Sequence, residues 1–161
     1  FLVDAILLAG LYTLRLVAGH EATGVPYSPW LLSFSLSLFL CLALLKRFQE
    51  LVEMRQRDQV QTRGRGYHRD HLGLVTVLGL VGGITSAIVL ALYVKSEQVL
   101  KLYDRPGLLL LACPLLLAWI ARLWHLARKD ALHADPVAFA LRDPISYLTV
   151  AVGAAIVWLA S

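Results

Sequence analysis

The chain has 161 residues, of which 58% are hydrophobic and only 16% are charged. A soluble domain carries about a quarter charged residues, so this composition excludes an ordinary water-soluble domain, a disordered tail and a fibrous repeat. The two cysteines lie in apolar runs and form no metal-ligand spacing, so neither a disulfide framework nor a zinc site is indicated. The chain begins at Phe1 inside an apolar run, and we expect it to be the C-terminal part of a longer membrane protein.

Five apolar segments approach the length of about 20 residues that a transmembrane helix needs. We predict one all-α integral membrane unit over residues 1–161, with five transmembrane helices. The helices are predicted at residues 2–18, 30–45, 72–94, 108–126 and 145–160. Ser28-Pro29 and Asp143-Pro144 each place a capping side chain before a proline, which is typical of a helix start.

Small residues and a proline mark the third and fourth segments. Gly79 and Gly83 form a pair of small residues four apart, which predicts the close approach of another helix. Pro114 predicts a kink in the fourth segment, because proline lacks an N–H group and clashes with the preceding turn.

Positive charge gathers on alternate connections between the segments. The connections after the second and fourth segments, together with Arg122 near the end of the fourth, carry 11 Lys and Arg residues, against 3 after the first and third. The positive-inside rule therefore predicts that the former two connections face the cytoplasm.

The inner end of the second segment combines cations with carboxylates. At about 100° per residue, one helical face holds four charged residues, Lys46, Glu50, Glu53 and Arg57. Arg47 lies on the flank within reach of Glu50. Such a group suits a phosphorylated substrate held with a divalent cation, since carboxylates bind Mg²⁺ while Lys and Arg bind phosphate oxygens. The alternative is a helix end that carries ion pairs and contacts anionic lipid.

The connection that follows is basic and rich in glycine over residues 63–69. Glycines between arginines let backbone N–H groups and guanidinium groups converge on phosphates, whereas the alternative is a topology signal that contacts lipid headgroups.

Arg15 lies inside the first segment, where an ionisable group is costly and is interpreted as functional, unless it reaches the membrane surface. Asp135 and the Arg142-Asp143 pair, in the last connection, are placed to close over the same cytoplasmic mouth.

These residues resemble the UbiA superfamily of membrane prenyltransferases. The stretch Lys46–Leu51 is similar to the superfamily's second conserved motif, in the form found in decaprenyl-phosphate phosphoribosyltransferases. Leu8–Gly19, Gly64–Tyr67 and Asp135–Asp143 resemble the same branch, in the same order. The aromatic prenyltransferases usually carry Asp-xxx-Asp in the second motif, which this chain lacks.

The resemblance implies a fold and a location. Members of the family have nine spans, and the five segments here would match spans five to nine. The family's first Asp-rich motif would lie outside this chain, so the enzyme is incomplete here and its main Mg²⁺ ligands are missing. The expected location is the inner (cytoplasmic) membrane of a bacterium, with the active-site loops facing the cytoplasm.

The resemblance also implies an activity. It is the transfer of 5-phosphoribose from phosphoribosyl pyrophosphate to a polyprenyl phosphate, with Mg²⁺ as cofactor and no nucleic acid as partner. One alternative is prenyl transfer from a prenyl diphosphate to an aromatic or other acceptor. A second alternative is a non-catalytic membrane scaffold that binds lipid or a partner subunit. Whether copies of the chain associate into a homo-oligomer is left open.

Particular roles follow for the residues that match the family. Lys46, Arg47 and Glu50 are the expected catalytic residues. The two cations would bind phosphate oxygens, and Glu50 would help to position the metal or a ribose hydroxyl. Six further residues are expected to bind substrate: Tyr12, Arg15, Arg63, Arg65, Tyr67 and Arg142. Of these, Arg65 and Tyr67 would close over the donor, and Arg15 would contact the acceptor phosphate.

Overall fold

The computed structural model describes residues 2–23, 28–61, 69–129 and 135–161, and within these ranges it contains helices and no strand. The all-α prediction is therefore confirmed for the described part of the chain. In chain order the helices are α1 (Leu2–Thr23), α2 (Pro29–Gln61), α3 (Arg69–Val94), α4 (Glu97–Leu102), α5 (Pro106–Leu109), α6 (Ala112–Arg128), α7 (Pro136–Ala140) and α8 (Pro144–Ala160).

Three of the described segments are long and apolar enough to cross a membrane. They are Pro29–Met54, Leu72–Val94 and Pro106–Arg128, which correspond to the second, third and fourth predicted segments. The first and fifth are also helical, but their apolar parts, Ile6–Gly19 and Pro144–Ala160, are shorter. The chain is thus a helical membrane protein, and crossing by all five segments stays a prediction.

The predicted helix starts are present with their capping side chains. Asp143 accepts a hydrogen bond from the Ser146 N–H at 2.8 Å and begins α8. Ser28 accepts a longer one, 3.4 Å, from the Leu31 N–H at the start of α2. These side chains bind N–H groups that have no partner inside the first helical turn.

Two apolar cores lie at opposite ends of α3. The larger contains Leu45 of α2, Val75 near the start of α3, and Leu123 of α6. The smaller joins Val94, at the end of α3, to α4, α5 and the end of α8. We call the end of the bundle with the larger core the Lys46 end, since Lys46 follows Leu45 there.

Glycines bring α3 close to both of its neighbours. A Cβ atom added to Gly79 would lie 2.1 Å from Cζ2 of Trp124 in α6. One added to Gly83 would lie 3.0 Å from Cγ2 of Ile120 and 3.3 Å from Sγ of Cys41 in α2. The predicted close approach at Gly79 and Gly83 is therefore confirmed.

A helix interruption lies just before Pro114, where the sequence predicts a kink. The fourth segment is divided into α5 and α6 by a turn at Leu110 and Leu111. Pro114 has no N–H to donate to the Leu110 carbonyl, which instead accepts from the Cys113 N–H at 3.2 Å.

The contact of Gly79 with Trp124 predicts a stability difference between two glycines of the same helix. Gly79→Ala should lower the free energy of unfolding by about 1–3 kcal/mol, because the methyl group overpacks the indole. Gly73→Ala is the matched control, since nothing lies within 4 Å of its Cβ position, and helix propensity alone should leave it neutral or about 1 kcal/mol more stable. Unfolding in detergent measures both variants, and equal values would contradict the packing described here.

Candidate functional site

A cleft opens at the Lys46 end between α1, α2 and the start of α7. Eight residues line it: Leu8, Tyr12, Phe39, Leu42, Ala43, Lys46, Asp135 and Val137. Lys46 and Asp135 are charged, and the other six are apolar or aromatic. The cleft is small: its free volume of about 10 Å³ holds only a water-sized group, so it would have to open to admit a larger amphipathic ligand.

An ion pair joins α2 to the segment that begins α7. Nζ of Lys46 donates to Oδ2 of Asp135 at 2.9 Å, although the two residues are 89 positions apart in the chain. The other carboxylate oxygen, Oδ1, accepts a hydrogen bond from the Val137 N–H at 3.1 Å and caps α7. The prediction that Asp135 lies over this end of the bundle is confirmed.

Aromatic contacts build the wall of the cleft on α1. The ring of Tyr12 stacks on Phe39 of α2, with ring centroids 5.2 Å apart. The guanidinium carbon of Arg15 lies 5.7 Å from the centre of the Tyr12 ring, within the range of a cation–π contact. Tyr12 is thus inside the cleft, whereas Arg15 is an exposed residue behind it that does not line it.

The second predicted contact is between Arg47 and Glu50. Nη1 of Arg47 forms an ion pair with Oε2 of Glu50 one helical turn further along α2, so the expected proximity is confirmed. Glu50 also lies four residues after Lys46 and therefore on the same helical face. α2 continues beyond its apolar part as far as Gln61. The Arg47–Glu50 pair lies near the start of this polar part, and an ion pair across one helical turn favours the helical conformation there.

The described carboxylates do not form a magnesium site by themselves. Among the described residues, no group of three or more His, Cys, Asp or Glu side chains could hold a metal ion. Glu50 is bound to Arg47, and Asp135 is bound to Lys46. Mg²⁺ commonly takes one or two protein carboxylates and completes its shell with water and substrate phosphates. A contact from Glu50 would therefore require a phosphorylated substrate to supply the remaining ligands.

Of the remaining predicted site residues, only Arg142 is among those that the structure describes. Arg63, Arg65 and Tyr67 lie outside the described residues. Arg142 is exposed at the turn between α7 and α8, and it does not line the cleft.

A partly buried polar network at the start of α8 was not predicted from the sequence. Arg122 of α6 donates to both carboxylate oxygens of Asp143, at 2.7 and 3.0 Å. Asp143 also accepts from the N–H and the hydroxyl of Ser146, and the Trp119 indole N–H donates to that hydroxyl at 3.0 Å. The available signal was Arg122 itself, since an ionised residue inside an apolar segment usually has a partner.

The network makes Asp143 a fixed anion. Its side chain is only 7% exposed. The hydrogen bonds from Arg122 hold the pKa of Asp143 below its ordinary value of 3.8, although burial acts in the opposite direction. The end of the segment that begins at Asp135 is therefore attached to α6.

Comparison with known proteins gives two curated relatives. The uncharacterized protein y4nM of Sinorhizobium fredii is 35% identical over 147 residues, which cover 91% of this chain and 28% of that protein. Nodulation protein NoeC of Azorhizobium caulinodans is 27% identical over 153 residues, which cover 93% of this chain and 49% of that protein. The chain therefore spans half or less of these relatives. No protein-family model matches the chain, and no solved structure gives a significant match.

The Arg122–Asp143 pair predicts a dependence of stability on pH. Asp143→Asn should lower the free energy of unfolding at neutral pH by about 2 kcal/mol, because Arg122 loses a charged acceptor. Since the folded pKa is the lower one, wild type should lose this contribution as the pH falls from above 3.8 through the folded pKa, and the variant should not. Thermal unfolding in detergent between neutral and acidic pH measures this difference.

The control for that measurement is Asp104→Asn, since Asp104 is an exposed carboxylate in the turn between α4 and α5. It should leave both the stability and its pH dependence unchanged. Identical pH profiles for Asp143→Asn and wild type would contradict the role of the pair.

Proposed function

We propose that the chain is part of a membrane-embedded transferase of the UbiA type, which moves 5-phosphoribose from phosphoribosyl pyrophosphate to a polyprenyl phosphate. The observation that carries this proposal is the cleft at the Lys46 end, where an apolar floor meets a lysine. A polyprenyl phosphate complements both parts of the cleft, because its isoprenoid chain is apolar and its head group is anionic. The sequence stretches that resemble the family support the same activity.

The floor of the cleft is suited to the isoprenoid part of such a lipid. Leu8 of α1 and Leu42 of α2 present branched alkyl groups, and the stacked rings of Tyr12 and Phe39 form a continuous wall. The cleft lies between helices whose outer faces are themselves apolar, so a lipid chain would reach it without crossing water. We place the lipid phosphate toward Arg15, close enough to Lys46 for that ammonium group to contact both substrates.

The protein would contribute to the reaction mainly by positioning the donor and the acceptor. An oxygen of the lipid phosphate attacks the anomeric carbon of ribose, a carbon–oxygen bond forms, and the bond to pyrophosphate breaks. Lys46 and Arg47 would exchange their present carboxylate partners for oxygens of the donor and neutralise the charge that develops on leaving pyrophosphate. Glu50, released by Arg47, would accept a hydrogen bond from a ribose hydroxyl. Mg²⁺, when it enters with the donor, would supply further neutralisation of the phosphate charge.

The finer placement of the chain is part of the same proposal. We place five spans in the inner membrane of a bacterium, with the Lys46 end facing the cytoplasm, because 11 Lys and Arg residues lie on that side, ten in the connections and Arg122 near the end of the fourth segment. Arg63, Arg65 and Tyr67 then belong to a connection on the same side as the donor. NoeC is named a nodulation protein, and we extend a role in nodulation to this chain, although such a role does not specify the reaction.

A second candidate is a non-catalytic module that binds lipid. The observation that favours it is that Glu50 and Asp135 are each already bound to a cation, as at a helix end stabilised by ion pairs. Prenyl transfer from a prenyl diphosphate would use the same cleft with another donor.

Substitution of Lys46 or of Glu50, both on α2, tests the leading proposal. In the full-length protein, Lys46→Ala and Glu50→Ala should each reduce transfer of labelled ribose 5-phosphate to extracted lipid by about a hundredfold, the size of a lost group that stabilises developing charge. The amount of protein in the membrane should not change. Lys95→Ala is the matched control, because Lys95 is exposed at the opposite end of α3 and should retain wild-type transfer.

The same assay with two donors separates the alternatives. Labelled lipid from phosphoribosyl pyrophosphate supports phosphoribosyl transfer, and product from a prenyl diphosphate alone supports prenyl transfer. Wild-type activity in both cleft variants would sink the assignment of this site, and no transfer with any donor would favour the lipid-binding module.

A further inference from the structure

The segment Asp135–Asp143, which contains α7, covers one side of the cleft, and we call it the roof. Asp135 and Val137 line the cleft, and Phe139 packs against the larger apolar core. Each end of the roof is attached to a spanning helix by an ion pair. The two attachments differ in burial and in the number of hydrogen bonds, and this difference carries the inference.

The Asp143 end is the firmer attachment. Its carboxylate is nearly buried and accepts hydrogen bonds from both Nη atoms of Arg122 and from two groups of Ser146. Breaking this pair would leave the nearly buried Asp143 carboxylate with only its hydrogen bonds from Ser146, which is costly. This end therefore stays in place while a ligand enters.

The Asp135 end is the weaker attachment. One bond joins it to α2, and the Lys46 and Asp135 side chains are 36% and 37% exposed. Ion pairs open to solvent contribute little to stability, because water competes for both groups. Lys46 can therefore change partners at small cost.

We infer that the Asp135–Lys46 pair is a releasable latch, in which an anion that enters the cleft displaces Asp135 from Lys46 and frees that end of the roof. Asp135 competes for the same ammonium group, and its charge repels a phosphate placed beside it. Asp135 thus weakens anion binding at the mouth of the cleft and is a positioning residue for Lys46. The inference rests on the proposed function only in taking the anion to be phosphorylated.

The first test is the affinity for inorganic pyrophosphate, titrated calorimetrically against the full-length protein in detergent. Asp135→Asn should bind pyrophosphate about twofold to fivefold more tightly than wild type, which is the range expected for removal of a competing half-exposed ion pair. Asp104→Asn makes the same chemical change in an exposed turn away from the cleft and should bind as wild type does. A role for Asp135 confined to folding would not tighten binding.

The second test follows the roof directly. Val137→Cys in a Cys113→Ala background places a thiol in the cleft, while Cys41 stays buried. Pyrophosphate should raise the rate of alkylation in this protein, and adding Asp135→Asn should give the raised rate without pyrophosphate. The charge exchange Lys46→Asp with Asp135→Lys keeps an ion pair but removes the cation from α2. In this double variant alkylation should stay slow, and pyrophosphate should no longer raise its rate. The double variant replaces Asp135→Asn in the test if Asp135→Asn does not fold.

The outcomes separate the latch from the transferase proposal. Tighter binding in Asp135→Asn with no transfer of ribose phosphate by wild type would support the latch and contradict the transferase. Unchanged or weaker binding in Asp135→Asn would overturn the latch, even where wild type carries out transfer. Absence of pyrophosphate binding in both proteins would also overturn it.

Discussion

The ion pair between Lys46 and Asp135 sets the position of the charged groups at the mouth of the cleft. α2 places Lys46 directly after the fully buried Leu45, so its ammonium group lies at the border between the apolar core and the polar end of the helix. Asp135 reaches that border from a distant part of the chain and at the same time caps α7. One carboxylate therefore positions both the cation and the roof. A ligand with an apolar body and an anionic head would find both parts of its complement at this border.

Close packing against α3, on the opposite side of α2, holds α2 and therefore Lys46 in position. The glycines of α3 let it approach α2 and α6 closely, and Trp124 fills the space over Gly79 while its ring also contacts Phe48 at 5.6 Å between centroids. The side of α2 that faces α1 is held by fewer large contacts, with the Tyr12–Phe39 stack as its main aromatic one. Close packing resists rearrangement, so a ligand is more easily admitted between α1 and α2 than between α2 and α3.

Sequence patterns predicted the features that depend on neighbours along the chain. The positions of the five apolar helices, the cap at Asp143 and the reach of Arg47 to Glu50 all follow from local spacing. The partners of Lys46 and Asp143 could not be predicted in this way, because each lies on another helix and periodicity reports only the face of one helix. Adjacent Arg142 was grouped with Asp143, whereas the bound cation is Arg122. The start of α7 was not predicted but could have been, because Asp135-Pro136 repeats the pattern of Asp143-Pro144.

Photo-crosslinking tests the central claim most directly, namely that an amphipathic polyprenyl phosphate occupies the cleft. A benzoylphenylalanine placed at Leu42 lies in the cleft, and one placed at Leu36 lies on an exposed part of the same helix. The account predicts that labelled polyprenyl phosphate crosslinks at position 42, that unlabelled lipid competes with it, and that Lys46→Ala reduces the yield. Equal crosslinking at both positions, without competition, would contradict it, because the lipid would then be contacting the helix surface at random.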